Sequence, residues 1–352
     1  MPEDFIRLYS ANSDPDAAYL LSSGSVYIYA SNMDKYAIKG QNLIIGSTEL
    51  IMNNLLGQET RRIETAIALK DSSIKKISVE KFITGMQNFS FQINASIVLA
   101  KQVLLTNKII NKNIESLEGK EKQLREMSMK YYKAVSLLNT EYEKRKLPWI
   151  NDILKKHITT LNYKRGEAFC KSQESITIEA SNRLSDRMIE YPRGSVICEE
   201  NTEGEEMYIL QAGAIDVEIG GNKVATIDKK GTVIGEMALL LNEKRTATLR
   251  AKNNIVITLI KKSELKDVCE KQEDLLKNIT CSLAQKHYYN IIKLNSINKS
   301  LIDQHLDNEN SGDKTVSQVE RLRSDMGKLK NELGDIIYKK DAEFLKPVVD
   351  EL

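Results

Sequence analysis

Residues 234–248 read IGEMALLLNEKRTAT, and this stretch decides how the rest of the chain is understood. Gly235 lets the backbone come close to a ligand, and the short apolar turn after it presents unpaired N–H groups that suit a phosphate. Arg245 adds a guanidinium, which can make two parallel hydrogen bonds to phosphate oxygens as a lysine cannot. Glu236 has no basic neighbour in sequence, and a carboxylate only accepts hydrogen bonds, so a sugar hydroxyl would supply its donor. Glycine, acid and arginine at this spacing can enclose a small anion that bears a sugar.

Working outward, residues 195–260 have the punctuation of an all-β unit. Short apolar runs such as Met207–Gln211, Ile215–Ile219 and Ile255–Ile260 are broken by glycines. On either side, apolar residues recur three and four apart and Gly and Pro become scarce, which predicts helices near 96–147, 149–172 and 272–345. The Leu147-Pro148-Trp149 step should end one helix and start the next.

The chain also repeats itself. Residues 5–47 overlay 194–236 without a gap: Asn12 meets Asn201, Tyr19 meets Tyr208, Leu21 meets Leu210, Gly24 meets Gly213 and Gly46 meets Gly235. After an insertion of six residues in the first copy, Arg62 meets Arg245, Thr65 meets Thr248 and Ala68 meets Ala251. The expected layout is roll, helices, roll, helices: 1–95, 96–178, 179–275 and 276–352.

The second copy resembles the cyclic-nucleotide-binding domain family. Residues 234–248 follow the family's phosphate-binding cassette, F-G-E-x-A-L then P-R-x-A-T, with Ile234 for the phenylalanine and Lys244 for the proline. Pro192 to Ile197, Glu205 to Leu210, Gly213 and Gly231 match its first strands and turns. The resemblance implies an α+β fold of two cyclic-nucleotide-binding β-rolls, each followed by a helical or coiled-coil segment. It also implies a ligand, cAMP or cGMP, in place of a cofactor. By family role Glu236 takes the ribose 2′-hydroxyl and Arg245 the cyclic phosphate, with backbone N–H groups of Gly235, Ala238 and Ala247 around it. Met237 and Thr246 complete the expected ligand-binding set. Threonine after the arginine is the family's habit at cGMP sites, although some cAMP-preferring members share it, so both purines stay open.

The first copy is expected to be degenerate and structural. Ser47 replaces the acid, and Glu64, two residues after Arg62, is placed either to pair with that arginine or to repel a phosphate. Glu49 is a weaker stand-in for the missing acid.

In the tail, Val319, Leu322, Met326, Leu329, Leu333 and Ile336 are spaced as the a and d positions of a coiled coil. Leu124, Met127, Tyr131, Ala134 and Leu138 repeat the pattern. Periodicity supplies an apolar face but not its partner, so a second protein, self-association and an intramolecular bundle all remain open. Gly312–Leu322 has some flavour of a DNA-recognition helix, as in catabolite-activator-type regulators. The helix that should precede it is missing, and acidic and basic residues alternate through 313–340, so nucleic acid is not expected.

The 352 residues suffice for two domains, and 51 Lys plus Arg against 49 Asp plus Glu give no global reason to bind DNA or an anionic membrane. The acidic start lacks a secretory pattern, and the apolar stretch Ala95–Leu105 reads as too short to span a bilayer. A cytoplasmic protein is expected. Cys170, Cys198, Cys269 and Cys281 are too scattered for zinc or a disulfide framework. His157, His287 and His305 read as surface or packing residues. No motif for a catalyst is visible, so the expected role is a receptor without catalytic activity that signals by helix rearrangement. The alternative is a scaffold whose two rolls are both ligand-free.

Overall fold

The computed structural model of the chain describes residues 5–117, 119–172, 186–272, 274–310 and 314–352. The first roll comprises β1 (Phe5–Tyr9), β2 (Ala17–Ser23), β3 (Ser25–Tyr29), β4 (Lys35–Lys39), β5 (Leu43–Ile45), α1 (Thr48–Asn54), β6 (Thr65–Leu69) and β7 (Ser73–Ser78). Helices α2 (Val79–Gly85), α3 (Phe89–Glu115), α4 (Lys120–Arg145), α5 (Pro148–His157) and α6 (Leu161–Lys171) follow. The second roll is β8 (Met188–Tyr191), β9 (Val196–Cys198), β10 (Glu206–Ala212), β11 (Ile215–Ile219), β12 (Asn222–Ile227), β13 (Val233–Ile234), α7 (Glu236–Leu241), β14 (Thr248–Ala251) and β15 (Ile255–Lys261). The chain ends in α8 (Leu265–Lys271), α9 (Asp274–Asn310), α10 (Lys314–Lys340) and α11 (Lys346–Asp350).

The two rolls share one wiring diagram. In the first, the sheets run β1-β6-β3-β4 and β5-β2-β7; in the second, β9-β14-β11-β12 and β13-β10-β15, with β8 added at the edge of β15. Strands β3, β4 and β6 bury alternate residues, as period-two side-chain alternation requires of a sheet with one covered face. The repeat extends to backbone conformation. Asn12 and Asn201 have φ of 67° and 66°, and Gly46 and Gly235 have φ of 75° and 83°. Tandem rolls are thus present as expected, and Leu147-Pro148 does separate two helices, with proline at the start of α5.

The chain divides into two compact units. One holds both rolls together with α3 as far as Leu104 and α9 as far as His287. Its core joins Leu50 and Ile51 of the first roll, Met207 and Leu239 of the second, Leu99 of α3 and Leu283 of α9. Where α3 and α9 carry buried hydroxyls, they satisfy each other: Ser96 Oγ and Thr280 Oγ1 are 2.6 Å apart.

The other unit is helical, and in it the two heptad stripes meet. Val319, Leu322, Met326, Leu329 and Leu333 of α10 pack into one core with Leu124, Tyr131, Ala134 and Leu138 of α4. The seam therefore closes within the chain, which is the intramolecular bundle among the alternatives that periodicity left open. The same burial answers the DNA-recognition reading: residues 311–313 lie outside the described residues, but Val319 and Leu322 are spent on packing. The four cysteines are unbridged, with Cys281 buried and the others half-buried.

Helix α3 runs beyond Ala95–Leu105 at both ends. At 27 residues it is longer than the apolar stretch singled out in the sequence, and by length and composition alone it could cross a membrane; half of that apolar window is buried inside the molecule. Ala95, Leu99, Ala100 and Val103 lie in the core around the rolls.

Truncating the α10 seam tests the helical unit. Leu329, fully buried, should cost about 2–5 kcal/mol when replaced by alanine, because the cavity left behind collapses only in part. Urea unfolding of Leu329→Ala would measure it, and a loss below about 0.5 kcal/mol would mean an unpacked seam.

Candidate functional site

Gly235 ends β13 in the left-handed region and opens α7, and a side chain could not be tolerated there. A Cβ would lie 2.3 Å from the Arg245 guanidinium. Across the turn, Arg245 N–H donates to Thr202 O at 2.7 Å, and its carbonyl accepts from Asn201 N–H at 2.8 Å. This backbone clamp aims the side chain inward. Arg245 Nη1 donates to Gly235 O (3.3 Å), and Nη2 donates to Glu206 O (2.6 Å) and to the Tyr208 hydroxyl (3.4 Å).

Arg245 as a whole is only 5% exposed. Among the described residues no carboxylate lies within ion-pair distance of it, and its Nε has no partner. An acid is connected only at one remove, through the Tyr208 hydroxyl, which donates to Glu206 Oε2 at 3.2 Å. A buried cation that no acid balances is costly, so the position calls for an anion.

A cavity of about 240 Å³ adjoins it, and all seven residues singled out in the sequence, Gly235, Glu236, Met237, Ala238, Arg245, Thr246 and Ala247, line it. The wall also includes Leu104 of α3, Cys198 and Val217, which sequence reasoning did not place there. Cys198 is driven upward in pKa by burial, which keeps its thiol protonated at neutral pH. Glu236, 5% exposed, is not alone: Lys286 of α9 brings its Nζ to 3.7 Å from Oε1. The basic neighbour missing from its local sequence comes from a distant helix. Ile279 and Leu283 of α9 lie in the core shared by the rolls.

The first roll repeats the clamp and departs in the filling. Arg62 N–H donates to Ser13 O (2.9 Å) and Asn12 N–H to Arg62 O (2.7 Å). Its guanidinium donates to Gly46 O at 2.8 Å and to Ala17 O, the counterparts of Gly235 and Glu206. The acid partner of Arg62 is Glu49, at 2.8 Å with both side chains essentially inaccessible. Glu64 does not take that place, contrary to one expectation from the sequence. Its carboxylate accepts from Tyr9, Tyr36 and Gln102 and lies 3.4 Å from His287 Nε2. Burial works to raise the Glu64 carboxyl, but His287 and the tyrosine hydroxyls outweigh it and hold it below the usual range. His287 is completely buried, with Thr48 Oγ1 2.8 Å from Nδ1, which makes it a packing residue, one of the two alternatives read from the sequence. The hydroxyl that replaces Glu236 here, Ser47 Oγ, is buried without a partner among the described residues.

Residues 188–272 match the family model described as the cyclic nucleotide-binding domain. The match falls on the second roll, β8 to α8. Curated relatives include a cAMP-dependent protein kinase regulatory subunit from Debaryomyces hansenii, 29% identical over 31% of this chain and 24% of the relative. A cGMP-dependent protein kinase from Toxoplasma gondii is 28% identical over 41% of this chain and 15% of the relative. The chain thus spans about a quarter or less of the length of these two relatives. Among solved structures, the regulatory domain of Toxoplasma gondii PKA with cAMP is 16% identical, over 78% of this chain and 82% of that one, with a TM-score of 0.23. The first roll lies outside the matched segment, as a degenerate copy would.

The two arginines should respond differently to removal of charge. Arg62→Met strands Glu49 in the interior and should destabilise the nucleotide-free protein by about 3–5 kcal/mol. Arg245→Met removes a cation that no acid balances and should cost clearly less. Chemical denaturation of the two variants side by side measures the difference, and equal losses would contradict the assignment of counter-ions.

Proposed function

We propose that the chain is a cyclic-nucleotide receptor without catalytic activity of its own, which binds cAMP or cGMP in its second roll and acts on a protein partner in the cytoplasm. The observation that carries this reading is Arg245, a buried side chain without a carboxylate counter-ion among the described residues, facing a cavity whose wall also holds Glu236. In this reading the cyclic phosphate supplies the missing negative charge through charge-assisted hydrogen bonds, and Glu236 accepts from a ribose hydroxyl. Gly235, Met237, Ala238, Thr246 and Ala247 form the remaining walls. The names of the curated relatives, regulatory subunits and kinases that respond to cAMP or cGMP, point the same way.

Output runs through α9. A ribose hydroxyl arriving at Glu236 competes with Lys286, so ligand and helix address the same carboxylate. A ligand shifts a helix only by its differential affinity for the two arrangements, and this shared acid provides such a difference. The four-part organisation 1–95, 96–178, 179–275 and 276–352 belongs to the same proposal, and the boundary near 178 lies outside the described residues.

Titration calorimetry of the full chain with cAMP and cGMP tests the reading. One nucleotide per chain is expected, and Arg245→Ala should weaken binding by about ten-fold or more, since a hydrogen bond to a charged group contributes about 1.5–3 kcal/mol. No binding of either nucleotide by the unmodified chain would overturn it.

Purine choice has its own test. Thr246 is exposed at the cavity wall, where its hydroxyl can accept from a guanine amino group that adenine lacks at that position. Thr246→Ala should therefore lower affinity for cGMP more than for cAMP, and an equal loss would remove the contact from the argument.

A further inference from the structure

We infer that the first roll retains an oxyanion site which the chain fills with its own Glu49 carboxylate, so that this roll is permanently self-liganded. The inference rests on the reading of Arg245 as an anion receptor. Arg62 and Arg245 are held alike, each by a backbone clamp to an Asn and by the same pair of carbonyls. One has an acid at 2.8 Å and the other has none among the described residues. Glu49 grows from α1 at the position that Ala238 holds in α7, and Ala238 lines the second roll's cavity. Its second oxygen accepts from Ile63 N–H at 3.1 Å, the counterpart of Thr246, another cavity residue. A carboxylate bridging the guanidinium and that N–H meets the needs that a small oxyanion would meet.

The rest of the pocket is filled from α9. His287 stands against Thr48 and Glu64, whose counterparts Met237 and Ala247 line the cavity of the second roll. The chain's own carboxylate and imidazole thus occupy the first roll, and the next residue back, Lys286, reaches Glu236 of the second.

The test uses the full chain with Glu49→Ala in an Arg245→Met background, so that Arg62 is the buried cation left to respond. Thermal unfolding is followed in rising sodium phosphate and in sodium chloride of matched ionic strength. A ligand that binds only the folded state raises the midpoint with the logarithm of its concentration. The double variant should gain on the order of a few degrees in phosphate beyond chloride, and the Arg245→Met parent should not. Adding Arg62→Met should abolish the gain. Equal responses in parent and double variant would overturn the inference. If Glu49→Ala fails to fold, Glu49→Gln keeps the shape and one acceptor; a midpoint equal to that of the parent would overturn the proposal, and a clear loss would support it. Nucleotide titration of the unmodified chain reports on the second roll alone, so the two readings can fail separately.

Discussion

Each roll is organised around a buried guanidinium whose position the backbone fixes before any ligand or acid is considered. The arginine backbone is clamped to an asparagine in the left-handed region, and the side chain is caught by the carbonyl of a glycine in the same region. Three features depend on it. The glycine must lack a side chain, the turn before the arginine must return to the same strand pair, and the cation must be balanced by something. The last requirement separates the copies, because Coulomb attraction in a poorly hydrated interior is too strong to leave unanswered and a lone buried charge is too costly to keep. One copy answers with Glu49, and the other leaves the answer to its surroundings.

Helix α9 makes the difference between the copies matter for both. Two consecutive residues point to acids in different rolls, His287 to Glu64 and Lys286 to Glu236. The first contact is fully buried and supported by Thr48 and Tyr36, so it behaves as a fixed anchor. The second is longer and more exposed, with Lys286 nearly one-fifth accessible, and ion pairs of that kind contribute little on their own. The two rolls therefore hold α9 unequally, through a fully buried contact on one side and a part-exposed one on the other.

Much of this was legible in the sequence, and the reasons are local. Gly24, Gly46 and Asn12 and their counterparts mark left-handed positions, strand alternation marks the sheets, and cassette spacing brings seven residues to one cavity. What was not legible were contacts across long stretches of chain. Glu49 was considered as a substitute acid for a sugar, when its partner is Arg62. Glu64 was set against Arg62, when its partners are His287 and two tyrosines. The heptad stripes were visible, but a stripe specifies a face and not its occupant, and α4 took the face of α10. Helix α3 was underestimated because Lys101 and Gln102 interrupt its most apolar run, although the helix continues on both sides.

A charge count between the copies would have found the missing partners. Where the second roll has Ala238 and Ala247 beside its arginine, the first has Glu49 and Glu64. Two acids against one buried arginine leave one negative charge over, and in an interior that charge requires a further cation or a dense set of donors. No lysine or arginine within the first roll takes that role among the described residues, so other donors must meet the charge. They are His287 of α9 and Gln102 of α3, together with Tyr9 and Tyr36 of the roll itself. The first roll is thus not simply an empty copy of the second. Its Glu49 faces Arg62, and Glu64, a second buried acid, is met in part by the helix that leaves the other roll.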